Sequence, residues 1–262
     1  MITDRFADHL SDSILNQNDP ETVKDGVPVL LLLLDSFVLN DPDSPDILQA
    51  SATLNSTYAS VFVEDPERAM RLSDKARDYS RRAICHKHPK ICEYEKGPLD
   101  QFSQQLGAMK LKDLDTLYTY GSVWAGWIQI HSEDWGAVAD LPKVEAIMAR
   151  IVELDERHEW GRAHLFLGVI KGQLPPALGG KPELARQHFE RAIEISEGND
   201  FITKVEFAKV YARLMFDQEL HDKLLLEVVN NDANHAGLTL SNTLAQKQAK
   251  QLLETSKEYF EE

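Results

Sequence analysis

The feature that most constrains the fold of this chain is the helical period of its apolar residues. Apolar side chains recur at three- and four-residue spacing within stretches of about 12 to 25 residues, and strand-type alternation is nearly absent. Proline and glycine interrupt the pattern at a few places, among them Gly97-Pro98. We therefore predict an all-α fold. The predicted helices cover residues 4–16, 25–39, 45–63, 66–86, 98–105, 112–131, 141–155, 160–172, 182–196, 201–214, 217–229 and 239–259.

Charge narrows the range of partners. The chain has 262 residues and a formal net charge of −15 at pH 7, from 28 Lys and Arg against 43 Asp and Glu. Phosphate backbones repel a chain this acidic, so we expect no nucleic-acid partner. The hydrophobic fraction of 43% is that of a folded globular protein rather than a disordered one. We expect a single all-helical domain over residues 1–262.

No segment is apolar for long enough to cross a membrane. The most apolar run, Val27 to Leu34, contains Pro28 and is far shorter than the roughly 20 residues of a spanning helix. The N-terminal residues include Asp4 and Asp8 and lack the apolar stretch of a signal peptide. We expect the chain either to be cytosolic or to have lost a leader before it reached this form.

Two segments resemble each other and suggest a repeat. Asp65–Ala69 and Lys181–Ala185 each place a Pro-Glu pair ahead of an alanine that recurs seven residues later. Ala185, Phe189 and Ala192 form the A-x3-F-x2-A pattern of the second helix of a tetratricopeptide repeat (TPR). No regular 34-residue period runs through the chain, so we predict a degenerate TPR-like helical-repeat solenoid. In it, helix packing is assigned to Gly168, Ala185, Phe189 and Ala192, and a turn to Gly179 and Gly180.

Motifs of known enzyme classes are missing from the sequence. It holds no G-x-S-x-G, P-loop, G-x-G-x-x-G or H-E-x-x-H motif. We predict a protein that is not an enzyme, with no catalytic residue, no metal site and no cofactor. The densest chemical cluster runs from Cys85 to Cys92 and includes His86 and His88. We consider a disulfide, two free thiols or a metal site there, and the spacing matches no common zinc motif.

Four aromatic residues are candidates for a ligand-binding cleft. Tyr120, Trp124 and Trp127 recur at i, i+4 and i+7 and share one face of a predicted helix, and Trp160 opens a later one. They can line a cleft, or they can fill the core of the central helices. We assign all four as candidate ligand-binding residues, with core packing as the alternative.

A longer segment then points to one family. Residues Leu167 to Ser196 combine a Leu-Gly step, a Pro-rich turn, Leu178-Gly179-Gly180 and the A-x3-F-x2-A helix. This string resembles the signature of the T component of TPR-protein-associated TRAP transporters, the TatT family. The middle of the chain, at Trp124 to Trp127, and its end, at Leu240 to Leu253, are also similar to that family.

The resemblance implies a function that the residues alone do not. Such proteins are similar in being periplasmic lipoproteins that form homotrimers and bind the solute-binding P component of a TRAP transporter. A cleft is implied that holds or relays a hydrophobic or organic-acid small molecule, without catalysis. This chain has no lipobox cysteine near residue 1, which leaves the lipid anchor open. A periplasmic location would favour the disulfide. The alternative function is a generic TPR-like scaffold for protein–protein interaction.

Overall fold

The computed structural model describes residues 12–261. It is 79% helical and shows no strand among these residues, which confirms the all-α prediction. Contacts group the chain into two compact units. The first unit holds residues 24–156, and the second holds the described residues 12–23 and 157–261. The single domain over residues 1–262 and the repeat solenoid both stay predictions.

The helices of the first unit begin in a regular way. They are α1 (Pro20–Asn40, which enters the unit at Lys24), α2 (Pro45–Val61), α3 (Pro66–Lys87), α4 (Pro89–Tyr94), α5 (Leu99–Leu106), α6 (Leu114–Ile130), α7 (Trp135–Val138) and α8 (Leu141–Asp155). The first four start with proline, whose missing N–H has no acceptor in a first helical turn. Before α3, the Asp65 carboxylate also accepts a hydrogen bond from the Glu67 backbone N–H at 3.2 Å.

The core of the first unit forms where α3 packs against α2 and α6, and α6 against α8. Small side chains allow this close packing: Ala52 of α2, Ala76 of α3 and Val123 of α6 form one buried cluster. At the end of α3, Cys85 and Cys92 are joined as a disulfide with their Cα atoms 5.8 Å apart. The bond ties α3 to the short helix α4.

The second unit is built from two helix pairs and a connecting helix. Its helices are α9 (Arg162–Gly172), α10 (Pro182–Ile195), α11 (Phe201–Glu206), α12 (Gln218–Asn230), α13 (Thr239–Glu254) and α14 (Ser256–Glu261). Helix α9 packs on α10 and α12 on α13. Helix α11 continues into a π-helical segment, Phe207–Ala212.

The four residues assigned to repeat packing lie between α9 and α10. Ala185, Phe189 and Ala192 are fully buried. A methyl group added to Gly168 would lie 3.0 Å from the Phe189 ring, so the glycine lets the two helices approach closely. Because these side chains are buried on one face of α10, they recur at four- and three-residue spacing in the sequence.

The turn between α9 and α10 depends on its two glycines. Gly179 has a φ of +90°, in the region that favours glycine, and its N–H donates to the Pro176 carbonyl at 3.0 Å. At Gly180 a Cβ would lie 1.6 Å from the Leu174 carbonyl oxygen, so no other residue fits without moving the backbone.

Several boundaries differ from the predicted helices. Pro89–Tyr94 and Trp135–Val138 are short helices that were not predicted, and the predicted helix 239–259 is broken between α13 and α14. The predicted helix 160–172 begins two residues late, at Arg162, because the residues before it are left-handed. The predicted helix 4–16 lies largely outside the described residues.

One face of α1 carries exposed apolar side chains. Val29, Leu32, Leu33, Phe37 and Leu39 are exposed, with Leu32 at 70% and Leu39 at 85%. These five residues, called the outer face of α1, span about 160° of the helix at 100° per residue. No helix within residues 12–261 is both long and apolar enough to cross a membrane.

Candidate ligand-binding site

The second unit opens with a strained left-handed turn. Glu159 (φ 49°, ψ 50°), Trp160 (φ 61°, ψ 22°) and Gly161 (φ 75°, ψ 20°) follow one another in the left-handed region. For a residue with a Cβ this conformation costs roughly 1–2 kcal/mol. A Cβ on Gly161 would lie 3.0 Å from two carbons of Ile195. The turn is therefore held in place against the end of α10, and strain of this kind clusters at functional sites.

A cavity of about 440 Å³ lies beside this turn and is open to solvent. It is lined by Arg157, Glu159, Trp160 and Ile195. Its volume falls within the range of small-molecule pockets. The half-buried Trp160 ring packs edge-on against His235, with ring centroids 5.2 Å apart and an angle of 84°. This contact fixes the indole as one wall of the cavity.

A buried amide holds the loops of the same unit together. The Asn242 side chain accepts a hydrogen bond from the Phe201 N–H at 3.0 Å and donates to the carbonyls of Asn199 (2.9 Å) and Ala233 (3.3 Å). It therefore joins the loop after α10 to the loop that carries His235. Since Trp160 contacts His235 and Ile195 ends α10, Asn242 connects the segments on which two walls of the cavity depend.

The cavity combines apolar and charged groups. The Trp160 indole and the Ile195 side chain offer apolar surface, while Arg157 brings a guanidinium and Glu159 a carboxylate. Such a surface suits a small molecule with a hydrocarbon body and a polar end.

The four aromatic candidates do not come together at this site. Trp160 lines the cavity, whereas Tyr120 and Trp124 are buried in the core of the first unit. Trp127 donates a hydrogen bond from Nε1 to Asp74 at 2.7 Å and stacks on His131 at 4.6 Å. A ligand could reach Tyr120 or Trp124 only if the helices around them moved apart, so ligand binding at Tyr120, Trp124 and Trp127 stays a prediction.

Sequence reasoning missed most of the cavity. Arg157, Glu159 and Ile195 carried no motif, and His235 is 75 residues beyond Trp160 in the chain. The one available signal was Gly161 after an aromatic residue, which is compatible with a left-handed turn but does not require one.

Fold and cavity together define an all-helical protein with a pocket of small-molecule size. The family model of the TRAP transporter T-component matches residues 16–260. The chain therefore belongs to the TRAP transporter T-component family, which confirms the resemblance seen in the sequence and makes it an accessory component of a transporter. A comparison with curated proteins gives no match.

Proposed function

We propose that this protein is a non-enzymatic periplasmic subunit that binds the solute-binding P component of a TRAP transporter and holds its small-molecule ligand. The family assignment supports the transporter role. The Cys85–Cys92 disulfide supports the periplasm, since disulfides persist in oxidising compartments. The observation that carries the ligand-binding part is the open cavity beside Trp160.

The cavity suggests how the ligand is held. The apolar body of the ligand packs on the Trp160 indole and on Ile195, and its polar end faces Arg157 and Glu159. Burial of apolar surface contributes roughly 25 cal/mol per Å² of area removed from water, so the indole supplies the largest share of affinity. The ligand is a hydrophobic molecule or an organic acid with a substantial hydrocarbon part.

Two measurements test this function. The first is association of the full chain with the P component of the same transporter, measured by analytical ultracentrifugation at micromolar concentration. The second is native mass spectrometry of the purified chain, which detects small molecules retained from the cell. Trp160→Ala should abolish retention, while Trp135→Ala, which changes an exposed indole of the first unit, should not. Folded proteins that do not associate would refute docking, and retention by Trp160→Ala would refute the cavity.

We further propose that copies of this chain meet through the outer face of α1 to form a homotrimer. Each copy carries a net charge of −15, so association needs a surface free of charge. The outer face provides one: its five members are apolar, and the Asp35 carboxylate of the same helix pairs with Lys75 of α3. A narrow apolar seam suits two helices, whereas an arc of about 160° contacts two neighbours at once.

The oligomeric state tests this surface. Leu32→Glu combined with Leu33→Glu should convert the trimer to a monomer in sedimentation experiments, because two carboxylates would be buried at each contact. Leu226→Glu, at an exposed leucine of α12, is the matched control and should leave the trimer intact. A wild-type chain that sediments as a monomer at micromolar concentration would overturn the proposal.

A further inference from the structure

Exposed aromatic and apolar side chains lie where the last helix of the second unit meets the turn before α12. Met215 is 42% exposed, Phe216 59% and Tyr259 42%. The rings of Phe216 and Tyr259 both contact the buried Phe260, with centroids 5.3 Å and 5.0 Å from its own. Met215 adjoins Phe216 in the chain. We call Met215, Phe216 and Tyr259 the C-terminal aromatic patch.

The backbone of Phe216 is held in an unfavourable conformation. Its φ is 55°, in the left-handed region where a bulky residue is rare. The Asp217 N–H donates to the Ala212 carbonyl at 2.8 Å and the Phe216 N–H to the Arg213 carbonyl at 3.2 Å, which is a helix end that glycine usually occupies. Glycine would adopt this turn without strain, yet the chain places an exposed phenyl ring there. Strain of this kind clusters where function requires it.

The rings of the patch are fixed by contacts beneath and beside them. Phe260, on which both rings pack, stands edge-on to the fully buried His221 of α12 at 5.1 Å. The Arg213 guanidinium carbon lies 4.4 Å from the centroid of the Tyr259 ring. Aromatic and arginine side chains dominate the binding energy of protein interfaces, and side chains that are already ordered lose little entropy on binding. The patch therefore has the composition and order of a protein-docking surface.

The charge around the patch limits what can dock there. Two cations lie beside it: Arg213, which faces Tyr259, and Lys257, which pairs with Glu261 at 3.5 Å. They are outnumbered by exposed carboxylates close to the patch in the chain, which are those of Asp217, Glu219, Glu258 and Glu261. A second copy of the chain would set these carboxylates against its own, which costs free energy. A different protein with apolar side chains and a rim of Lys or Arg is complementary.

We propose that the C-terminal aromatic patch is the surface on which the P component docks, through an apolar area of the P component that is edged by basic residues. This inference rests on the proposed function, which supplies the partner but no docking surface. The rings of Phe216 and Tyr259 are the anchors that become buried, and the carboxylates around them orient the basic partner. The outer face of α1 has only apolar members, so the two surfaces suit different partners.

Glycine at Phe216 separates docking from folding. Phe216→Gly removes the ring but relieves the backbone strain, so the thermal midpoint of the full chain should be kept. In isothermal titration calorimetry, the Kd for the P component of the same transporter should rise about tenfold or more. Glu197→Gly is the matched control, because Glu197 is exposed, has a φ of 52° and lies outside the patch. It relieves the same kind of strain and should keep the affinity.

Two further variants test the second anchor and the charge. Tyr259→Ala should weaken binding of the P component as Phe216→Gly does. Glu258→Lys should also weaken it, whereas Glu183→Lys, at an exposed carboxylate of α10, should not. Tighter binding by Glu258→Lys would overturn the assignment to a basic partner.

The outcomes distinguish this surface from the proposed function as a whole. If the wild-type chain does not bind the P component, docking fails and this inference fails with it. If the wild type binds and the folded Phe216→Gly and Tyr259→Ala proteins bind equally well, the patch alone is refuted. If Phe216→Gly changes the sedimentation of the chain without the P component, the patch is a contact between copies and the proposal is overturned.

Discussion

The Arg162 guanidinium donates two hydrogen bonds to the fully buried carboxylate of Asp200. Nε donates to Oδ2 at 3.0 Å, and Nη2 donates to Oδ1 at 2.9 Å. Asp200 ends the loop after α10 and directly precedes α11. The pair therefore fixes the start of α9 against the start of α11. Geometry of this kind is directional as well as strong, because the planar guanidinium matches the carboxylate.

Removing one partner of this ion pair should lower the free energy of unfolding. Arg162→Met leaves the Asp200 charge buried without its partner, and we expect the free energy of unfolding to fall by about 3–5 kcal/mol in urea titrations. Glu190→Gln is the matched control, since Glu190 forms an exposed pair with Arg186 at 2.7 Å and should cost less than about 1 kcal/mol. Equal losses in the two variants would contradict the assignment.

Substitution by alanine should destabilise the protein at Gly161 and stabilise it at Gly26. Gly161→Ala places a methyl group in a left-handed conformation and 3.0 Å from Ile195, so we expect a loss of at least about 1–2 kcal/mol. Gly26→Ala adds a methyl group inside α1 with nothing within 4 Å, and should stabilise by roughly 0.5–1 kcal/mol. Thermal unfolding of both variants checks the pair. Stabilisation by Gly161→Ala would show that the turn relaxes.

Buried and exposed tryptophans should differ sharply in their contribution to stability. Trp124 is 1% exposed and fully packed, so Trp124→Ala should cost about 3–5 kcal/mol. Trp135 is 82% exposed, and Trp135→Ala should change stability by less than about 0.5 kcal/mol. Chemical unfolding of the two variants measures the difference. A small loss for Trp124→Ala would mean that this indole is not part of the core.

The disulfide should stabilise the first unit by a moderate amount. Cys85 and Cys92 are seven positions apart. Closing so short a loop lowers the conformational entropy of the unfolded chain, which stabilises the folded protein by about 2–3 kcal/mol. Replacing both cysteines by serine should lower the free energy of unfolding by that amount. Dithiothreitol should have the same effect on the wild type and none on the double variant. A reducing agent that destabilises both proteins equally would rule out the bond as the cause.

The turn around Asp113 in the first unit should become less stable at low pH. Burial alone would raise the pKa of Asp113, but hydrogen bonds from the Lys110 N–H and the His88 imidazole, each 3.0 Å, outweigh it and hold the pKa below its ordinary value of 3.8. The resulting stabilisation is present above pH 3.8 and is lost as the pH falls through the depressed pKa. The stability difference between wild type and Asp113→Asn should shrink as the pH falls below 3.8. A difference independent of pH would contradict this account.

Local signals made much of the fold predictable. A proline at the first helical position marked α2, α3 and α10, and alternating small and aromatic residues marked the contact of Ala185 and Phe189 with α9. Each of these features depends on neighbours within a few residues or on a single helix face, and such features can be read from sequence.

The candidate sites were less accessible to sequence reasoning. Glu159 and Trp160 have no intrinsic preference for the left-handed region, so tertiary contacts such as that of Trp160 with His235 account for their conformation. Tyr120 and Trp124 pack against Arg77 of another helix, and nothing in the local sequence pattern shows that this contact places them in the core.

The outer face of α1 also governs how the isolated protein behaves in solution. Salts that are excluded from the protein surface, such as ammonium sulfate, strengthen the attraction between apolar surfaces. Ions of any kind also screen the repulsion between copies that each carry a net charge of −15. Both effects favour association, so copies whose outer face of α1 is not covered by another copy should precipitate as the ionic strength rises. We expect dilute buffer, which screens the repulsion least, to keep them dispersed.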